Sequence, residues 1–392
     1  MKARACHLSS VHRAYDIRVF YKECRSLAKA GFDVTLIART PVGETSDGVR
    51  IIPAPVFKNR FLRIFFAPLR MFLLARKQKA NLYHFHDPEL IVTGLLLRLF
   101  TRARVVYDVH EDYKTSIRQK HYLSKGIAAV IAGIFAFFET AAAKCFRLVL
   151  AEKYYSERFP KGLQVLNYPV ISAGGLDSSI TPGQGSVGEA KHDQPLSPAG
   201  APDTRSLLYT GIIAEDRGAL LHAELLSYLP DIDVYMVGFC RKALARRLEE
   251  ITAGFRERFH LEGEDEFVHP ARIHYYYQHK KWLAGLAIFP PTSHYMKKEL
   301  TKIFEYMYAG IPVICSDFPV WRELVQGVGA GVLVDPFDRR AITEAVEYLA
   351  AHPAEAEAMG QKGKEAVLRQ YNWAIEEEKL IDLYRQLLKK YL

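Results

Sequence analysis

At 392 residues, with 49% hydrophobic and 25% charged side chains, the chain is long enough for two cores of about 100–200 residues each. Its composition excludes a disordered or collagen-like protein. Lys and Arg outnumber Asp and Glu by 53 to 44, a net charge of +9 that favours phosphorylated substrates, polyanions or an acidic membrane surface. Five scattered cysteines, Cys6, Cys24, Cys145, Cys240 and Cys315, form no C-x-x-C pair, so neither a disulfide framework nor a zinc knuckle is expected and a reducing cytosol is.

The N-terminus turns polar too early for the apolar core of a secretory signal. Short apolar runs then alternate with helical ones. Ala3–Leu8, Asp33–Ala38, Leu82–His86, Arg104–Val109 and Leu148–Ala151 read as strands, and Ile17, Phe20, Tyr21, Cys24 and Leu27 recur at helical spacing between the first two. Residues 60–77 interleave Phe61, Phe65, Phe66 and Phe72 with Arg60, Arg63, Arg70, Arg76 and Lys77. That segment reads either as a helix lying on an anionic membrane or as a core helix with snorkelling arginines. The longest apolar run, Gly126 to Phe138, falls short of the roughly 20 residues needed to cross a bilayer, and no transmembrane helix is expected.

Residues 172–203, rich in Gly, Ser, Pro and Ala, read as a flexible insertion at a domain boundary, because they offer too little apolar surface to offset ordering entropy. Beyond them the alternation resumes at Ser206–Tyr209, Val234–Val237, Leu286–Phe289, Val313–Cys315 and Val332–Val334. Repeated strand and helix predict an α/β architecture of two Rossmann-like, doubly wound parallel sheets. The divisions are 1–171, the insertion 172–203, 204–370, and a final helical stretch 371–392.

In open α/β sheets ligands bind beyond the carboxyl ends of the strands. Four clusters stand there: Ser9 to Arg18, with His12, Asp16 and Arg18; His84 to Glu89, with His86 and Asp87; Tyr107 to Tyr113, with His110, Glu111 and Asp112; and Leu208 to Gly218, with Gly211 and Arg217. Asp16 can instead be a helix cap. His84 and His86 share one face of a strand with Asp87 near, but no fourth ligand follows at metal-site spacing. Asp231-Ile232-Asp233 is a D-x-D string that precedes its strand, so it reads as a turn. No metal is expected. The run from Thr301 to Asp317 reads as a helix start with a cap, the cation Lys302 and the carboxylate Glu305 one turn in, then a Gly-Ile-Pro break and an apolar strand. Free N–H groups at Thr301, Lys302 and Ile303 suit an anion, and Glu305 suits a pair of vicinal hydroxyls. Together those are the needs of a sugar nucleotide.

That run resembles the donor-site signature of retaining glycosyltransferases of family four, which share the two-domain GT-B fold. The resemblance implies transfer of a sugar from a nucleotide-diphosphate donor to a sugar or lipid-linked glycan acceptor, with no separate cofactor and no nucleic-acid partner. It also implies donor on the C-terminal lobe, acceptor on the N-terminal lobe, reaction in the cleft between, and a last helix crossing back from Asn372-Trp373. By the same resemblance His110 lies under the transferred sugar, and His12, Asp16, Arg18, His86, Asp87 and Glu111 shape the acceptor side. Gly211, Arg217, Thr301, Lys302, Ile303 and Glu305 hold the donor, with Arg217 and Lys302 stabilising the departing diphosphate. Two positions depart from the family's pattern: Ile212 stands where arginine is common, and Lys297 where a second glutamate is. Those departures keep a catalytically inactive, transferase-like binding partner open beside the transferase, and a sugar-nucleotide epimerase shares the architecture. A cytoplasmic enzyme of bacterial surface-polysaccharide synthesis, peripheral on the inner face of the membrane through 60–77, is the expected setting.

Overall fold

The computed structural model describes residues 2–55, 60–110, 124–172, 175–176 and 205–391, so Glu111 and nearly all of the insertion 172–203 lie outside the described residues. The chain divides into two units. One takes in the chain up to Asn167 together with everything from Trp373 on, and the other takes in the described residues between Tyr168 and Asn372.

The first unit is built on eight strands: β1 (Arg4–Arg13), β2 (Asp33–Arg39), β3 (Glu44–Ser46), β4 (Val49–Pro53), β5 (Leu82–Phe85), β6 (Arg104–Val109), β7 (Arg147–Leu150) and β8 (Leu163–Gln164). They lie in the order β3-β4-β2-β1-β5-β6-β7-β8, parallel except for β3 against β4. Central strands such as β2 read as continuous apolar runs because helices cover both faces. Register sets Cys6 of β1 between Thr35 and Tyr83, and His7 between Leu36 and His84.

Asp16 caps the first helical segment, its Oδ1 accepting the N–H groups of Arg18 and Val19 at 2.8 and 2.9 Å. That segment, Ile17–Cys24, is wound with π-type turns and continues as α1 (Arg25–Lys29). The crossovers from β4 to β5, β5 to β6 and β6 to β7 carry α2 (Arg60–Lys77), α3 (Ile91–Phe100) and α4 (Lys125–Ala143). All three advance the same way across the sheet, so right-handed connection puts them on one face, where α2 packs on α3 and α3 on α4. Met71, Ala75, Leu97, Ala142 and Phe146 fill the core beneath them. Phe72 joins that core at 6% exposure, which corrects its placement on a membrane-facing surface; the side chains of residues 60–65 lie outside the described ones.

The second unit begins with a small antiparallel ribbon, β9 (Ile171–Ser172) and β10 (Gly175–Leu176). Its main sheet comprises β11 (Ser206–Thr210), β12 (Asp233–Cys240), β13 (Phe259–Glu264), β14 (Ala284–Ala287), β15 (Val313–Ser316) and β16 (Gly331–Val334). Their order is β13-β12-β11-β14-β15-β16, all parallel. The helices are α5 (Ala219–Glu224), α6 (Lys242–Ile251), α7 (Pro270–His279), α8 (Thr301–Tyr308), α9 (Pro319–Trp321), α10 (Arg339–Ala351) and α11 (Pro353–Gln370). Asp231 pairs with Arg205 at 2.9 Å in the turn before β12, away from the carboxyl ends of the strands. The last helix, α12 (Trp373–Leu388), belongs to the first unit: Trp373 Nε1 donates to Ser26 Oγ at 2.9 Å, and Glu376 Oε2 accepts the Leu166 N–H at 2.8 Å.

Candidate functional site

In the first unit the carboxyl ends of β1, β5 and β6 bring His12, His86, Asp87 and His110 together. Asp87 is wholly buried and its Oδ2 takes hydrogen bonds from Ser9 Oγ (2.9 Å) and the Val11 N–H (3.1 Å), while His12 Nδ1 lies 3.0 Å from Oδ1. Burial works to raise the Asp87 pKa, but the bond and charge of His12, the charge of His110 and the Ser10 N–H outweigh it, so the carboxyl lies well below the usual range. Asp87 therefore pins the β1 loop and does not line an open surface.

Asp108, at the end of β6, is the hub. Arg18 grips it with Nε to Oδ2 at 2.9 Å and Nη2 to Oδ1 at 2.7 Å, and Nη1 donates to the Val165 carbonyl at 3.0 Å. Burial alone would raise the Asp108 pKa; the Arg18 charge and the bonds from His110 and His86 hold it well below the carboxylate range. An ionised Asp108 accepts only, so the imidazole nitrogens facing it must present N–H. His110 Nδ1 lies 3.0 Å and His86 Nδ1 3.1 Å from Oδ2. From there one consistent direction runs inward: His7 Nδ1–H donates to His86 Nε2 (2.9 Å), Tyr384 O–H to His7 Nε2 (3.0 Å), and His84 Nδ1–H to the Tyr384 oxygen (2.9 Å). Burial, reinforced by the neighbouring histidines, lowers the pKa of His7 and His84 far enough to keep them neutral. Burial raises that of Glu23, whose Oε2 sits 3.5 Å from His84 Nδ1, and the Asp108 charge adds to the rise. His7, Glu23, His84 and His86 have ligand-type atoms close enough for a cation, yet most of the ring nitrogens already serve one another and Tyr384. His110 Nε2 is buried and has no hydrogen-bond partner among the described residues.

In the second unit the group forms where β11 ends and α8 begins. Gly211 (φ 92°) and Gly218 (φ 78°) turn the chain after β11; a Cβ on Gly218 would meet the Ile288 carbonyl oxygen at 1.9 Å, so this turn needs glycine twice over. Lys302, 8% exposed, donates from Nζ to the Thr210 carbonyl at 2.7 Å and lies 3.3 Å over the Tyr209 ring. Burial, with the charge of Arg217 adding to it, puts its pKa well below the ordinary lysine value, and Glu305 opposes the shift. An arriving anion would relieve that cost. Glu305 Oε2 accepts from Tyr277 O–H at 3.1 Å, and Tyr277 also bonds Thr210 Oγ1 at 2.8 Å.

Two expectations are corrected here. The N-cap of α8 is Leu300, with no side-chain cap bond, and Thr301 is the first helical residue. The Ile303 side chain is fully buried and its N–H goes to the Leu300 carbonyl at 3.0 Å, so it offers nothing to a donor phosphate. Ile212 is 43% exposed, its carbonyl held by Tyr209 O–H at 2.6 Å, and Glu299 is buried. Asp108, Tyr277, Tyr384 and His222 are absent from the expected site residues. Asp108 lies near the end of β6, two residues before His110, the one signal that could have found it. Tyr384 is hundreds of residues away in the chain.

The family model described as Glycosyltransferase Family 4 matches residues 18–151, and the model described as Glycosyl transferase-like matches 238–382. No curated protein matches the chain. Solved structures do. Sucrose-phosphate synthase from Thermosynechococcus elongatus is similar at a TM-score of 0.69 and 18% identity, over 99% of this chain and all of that one (100%). HepE of Anabaena in complex with UDP-glucose is similar at 0.64 and 12%, over 98% and 99%. WaaG, a glycosyltransferase involved in lipopolysaccharide biosynthesis, is similar at 0.63 and 15%, over 96% and 98%. The first match falls within the first parallel-sheet unit and the second covers the second unit from Gly238 and runs on into α12, and the chain belongs to the GT-B glycosyltransferases, with a family 4 first unit.

Proposed function

We propose that the protein moves a sugar from a nucleotide-diphosphate donor to a hydroxyl acceptor with retention at the anomeric carbon, in the synthesis of a bacterial surface polysaccharide. The observation that carries the donor half is the joint placement of Lys302, Arg217 and Glu305 at the end of β11 and the start of α8. Lys302 and Arg217 supply positive charge, the uncapped start of α8 supplies N–H groups, and Glu305 accepts from a ribose diol. A desolvated cation beside a departing diphosphate stabilises developing negative charge without a metal. On the acceptor side, His110 Nε2 is the acceptor that bonds a hydroxyl of the transferred sugar, its ring held by Asp108.

The likeness to HepE crystallised with UDP-glucose supports a uridine-type donor, and the likeness to WaaG supports a glycan acceptor, free or lipid-linked. Incubation with UDP-glucose and related donors tests the reading. Donor-dependent glycosylation of a hydroxyl acceptor, with the anomeric configuration kept in the product, is the expected result. Conversion of the donor to its epimer with no acceptor present would mark an epimerase instead. Binding of UDP with no turnover of any sugar donor would favour the inactive binding partner, for which the exposed Ile212 speaks.

A further inference from the structure

Helix α4 is inside out. It turns the small residues Ala128, Ala132, Ala142 and Ala143 toward the sheet and buries one charged side chain, Glu139. Ile127, Val130, Ile134 and Phe137, spaced to share one helical stripe, face outward, Phe137 at 79% exposure. The neighbouring helices continue this surface. Helix α3 exposes Val92, Leu99 (75%) and Phe100, and α2 exposes Phe66, Leu69 and Leu73. Single exposed apolar side chains are ordinary; a face of three adjacent helices built this way is not.

Beside the face, at the amino edge of the sheet, lies a cavity of 780 Å³ lined by Arg98 of α3, Lys144 just after α4, Arg104 and Arg147 at the starts of β6 and β7, and Lys161. None of these five cations is ion-paired to a described carboxylate. Lys379 and Asp382 also line it and are paired elsewhere, with Glu376 at 2.7 Å and Arg385 at 3.4 Å. An apolar stripe ending in uncompensated positive charge matches a surface that is apolar within and anionic at its rim.

We propose that the outer face of α2, α3 and α4 docks on an anionic phospholipid bilayer, with the α4 stripe among the acyl chains and the five cations on headgroup phosphates. Residues 126–143 are long and apolar enough to cross a membrane by length and composition. The helix is nevertheless tied to the sheet: Glu139 Oε1 accepts from Tyr107 O–H at 2.6 Å, and Oε2 lies 2.6 Å from Arg158 Nη1. It therefore lies on the bilayer.

The full-length chain, without nucleotide, is floated with phosphatidylcholine vesicles and with vesicles containing phosphatidylglycerol. It should float with the anionic vesicles at low salt and be released as salt rises, since screening acts over about 8 Å at physiological ionic strength. Ile134→Asp with Phe137→Asp should lower that binding at least tenfold at an unchanged melting temperature. Arg98→Glu with Arg147→Glu should remove the preference for anionic lipid; if the apolar pair fails to fold, this pair decides alone. The proposal is overturned if the wild type ignores anionic vesicles at low salt, or if a folded variant pair binds them as well as the wild type. A dimer that takes the place of vesicle binding, or stabilisation by inorganic phosphate without vesicle binding, overturns it too. No sugar donor enters the assay, so its failure leaves the transferase reading standing.

Discussion

His110 Nδ1 sits 3.0 Å from Oδ2 of Asp108, a carboxylate that Arg18 grips with two further bonds of 2.9 and 2.7 Å. The arrangement leaves His110 Nε2, at the carboxyl end of the first sheet, without a hydrogen-bond partner among the described residues. His110→Ala should lower turnover on the order of a hundredfold or more while leaving nucleotide affinity little changed, as loss of a transition-state contact does. Steady-state kinetics and calorimetry check the split. Asp108→Asn is a poorer probe, because it removes the bidentate partner of the buried Arg18 and so perturbs stability as well as His110.

Glu305→Ala should weaken binding of the nucleotide diphosphate by about 1–3 kcal/mol, the range for a lost charged hydrogen bond, with the melting temperature unchanged. Tyr277→Phe removes only the hydroxyl that steadies Glu305 and Thr210, so its effect should stay near 0.5–1.5 kcal/mol. Calorimetric titration of both variants with UDP checks the order. Equal affinities across wild type and Glu305→Ala would remove Glu305 from the ribose.

Much of this architecture was legible because parallel strands buried on both faces announce themselves as short apolar runs, and because site residues cluster just after them. His86 and His110 were reachable by that rule, while Lys302 and Glu305 came from the pattern of a helix start and from the family resemblance. Arg18 and Asp16 were not separable from true ligand contacts by pattern: an arginine closing a buried ion pair and an aspartate capping a helix look, in sequence, like cleft residues. Ile303 failed for a geometric reason, since its N–H is consumed by the turn that starts α8. Helix α4 is the sharpest case. Ile127, Val130, Ile134 and Phe137 have the spacing of an inward face, yet the alanines take the sheet because they let the helix approach closely, and Glu139 needs Tyr107 and Arg158. Periodicity tells which side chains share a face, not which way that face turns.

Transfer should survive excess EDTA. The cationic pair of Lys302 and Arg217 at the donor site, and the position of Asp231 in the turn before β12, away from the carboxyl ends of the strands, motivate this expectation. Progress curves with and without chelator check it. Activity lost in EDTA and restored by magnesium or manganese would shift attention to the grouping of His12, Asp87 and His110, whose ligand-type atoms lie within 4.8 Å of one another.

His222 is fully buried, and burial, with the charge of Lys302, lowers its pKa to about 3 from an ordinary 6.5. Between those values the unfolded chain binds a proton that the folded chain refuses, so this residue makes stability fall as pH drops from about 6.5 toward about 3. His222→Phe should flatten that dependence, with a difference of about 1.4 kcal/mol between near-neutral pH and about one unit below 6.5. Urea unfolding of both proteins at the two pH values checks the slope. Parallel curves would mean that His222 is protonated in the folded state.

Tyr384 closes the relay from α12, its hydroxyl giving its proton to His7 Nε2 and receiving one from His84 Nδ1. Tyr384→Phe keeps the ring, which packs edge-on to Phe32, and removes both bonds at once. Two buried imidazole nitrogens would then lack partners, which should cost about 1–3 kcal/mol of stability. Because His110 is held by Asp108 and not by this end of the relay, kcat should change little. Urea unfolding and steady-state kinetics on the same preparation separate the two effects. A variant with normal stability would show that water or a rotated imidazole replaces the hydroxyl, and a variant of normal stability but greatly reduced kcat would show that the relay itself reaches the reaction.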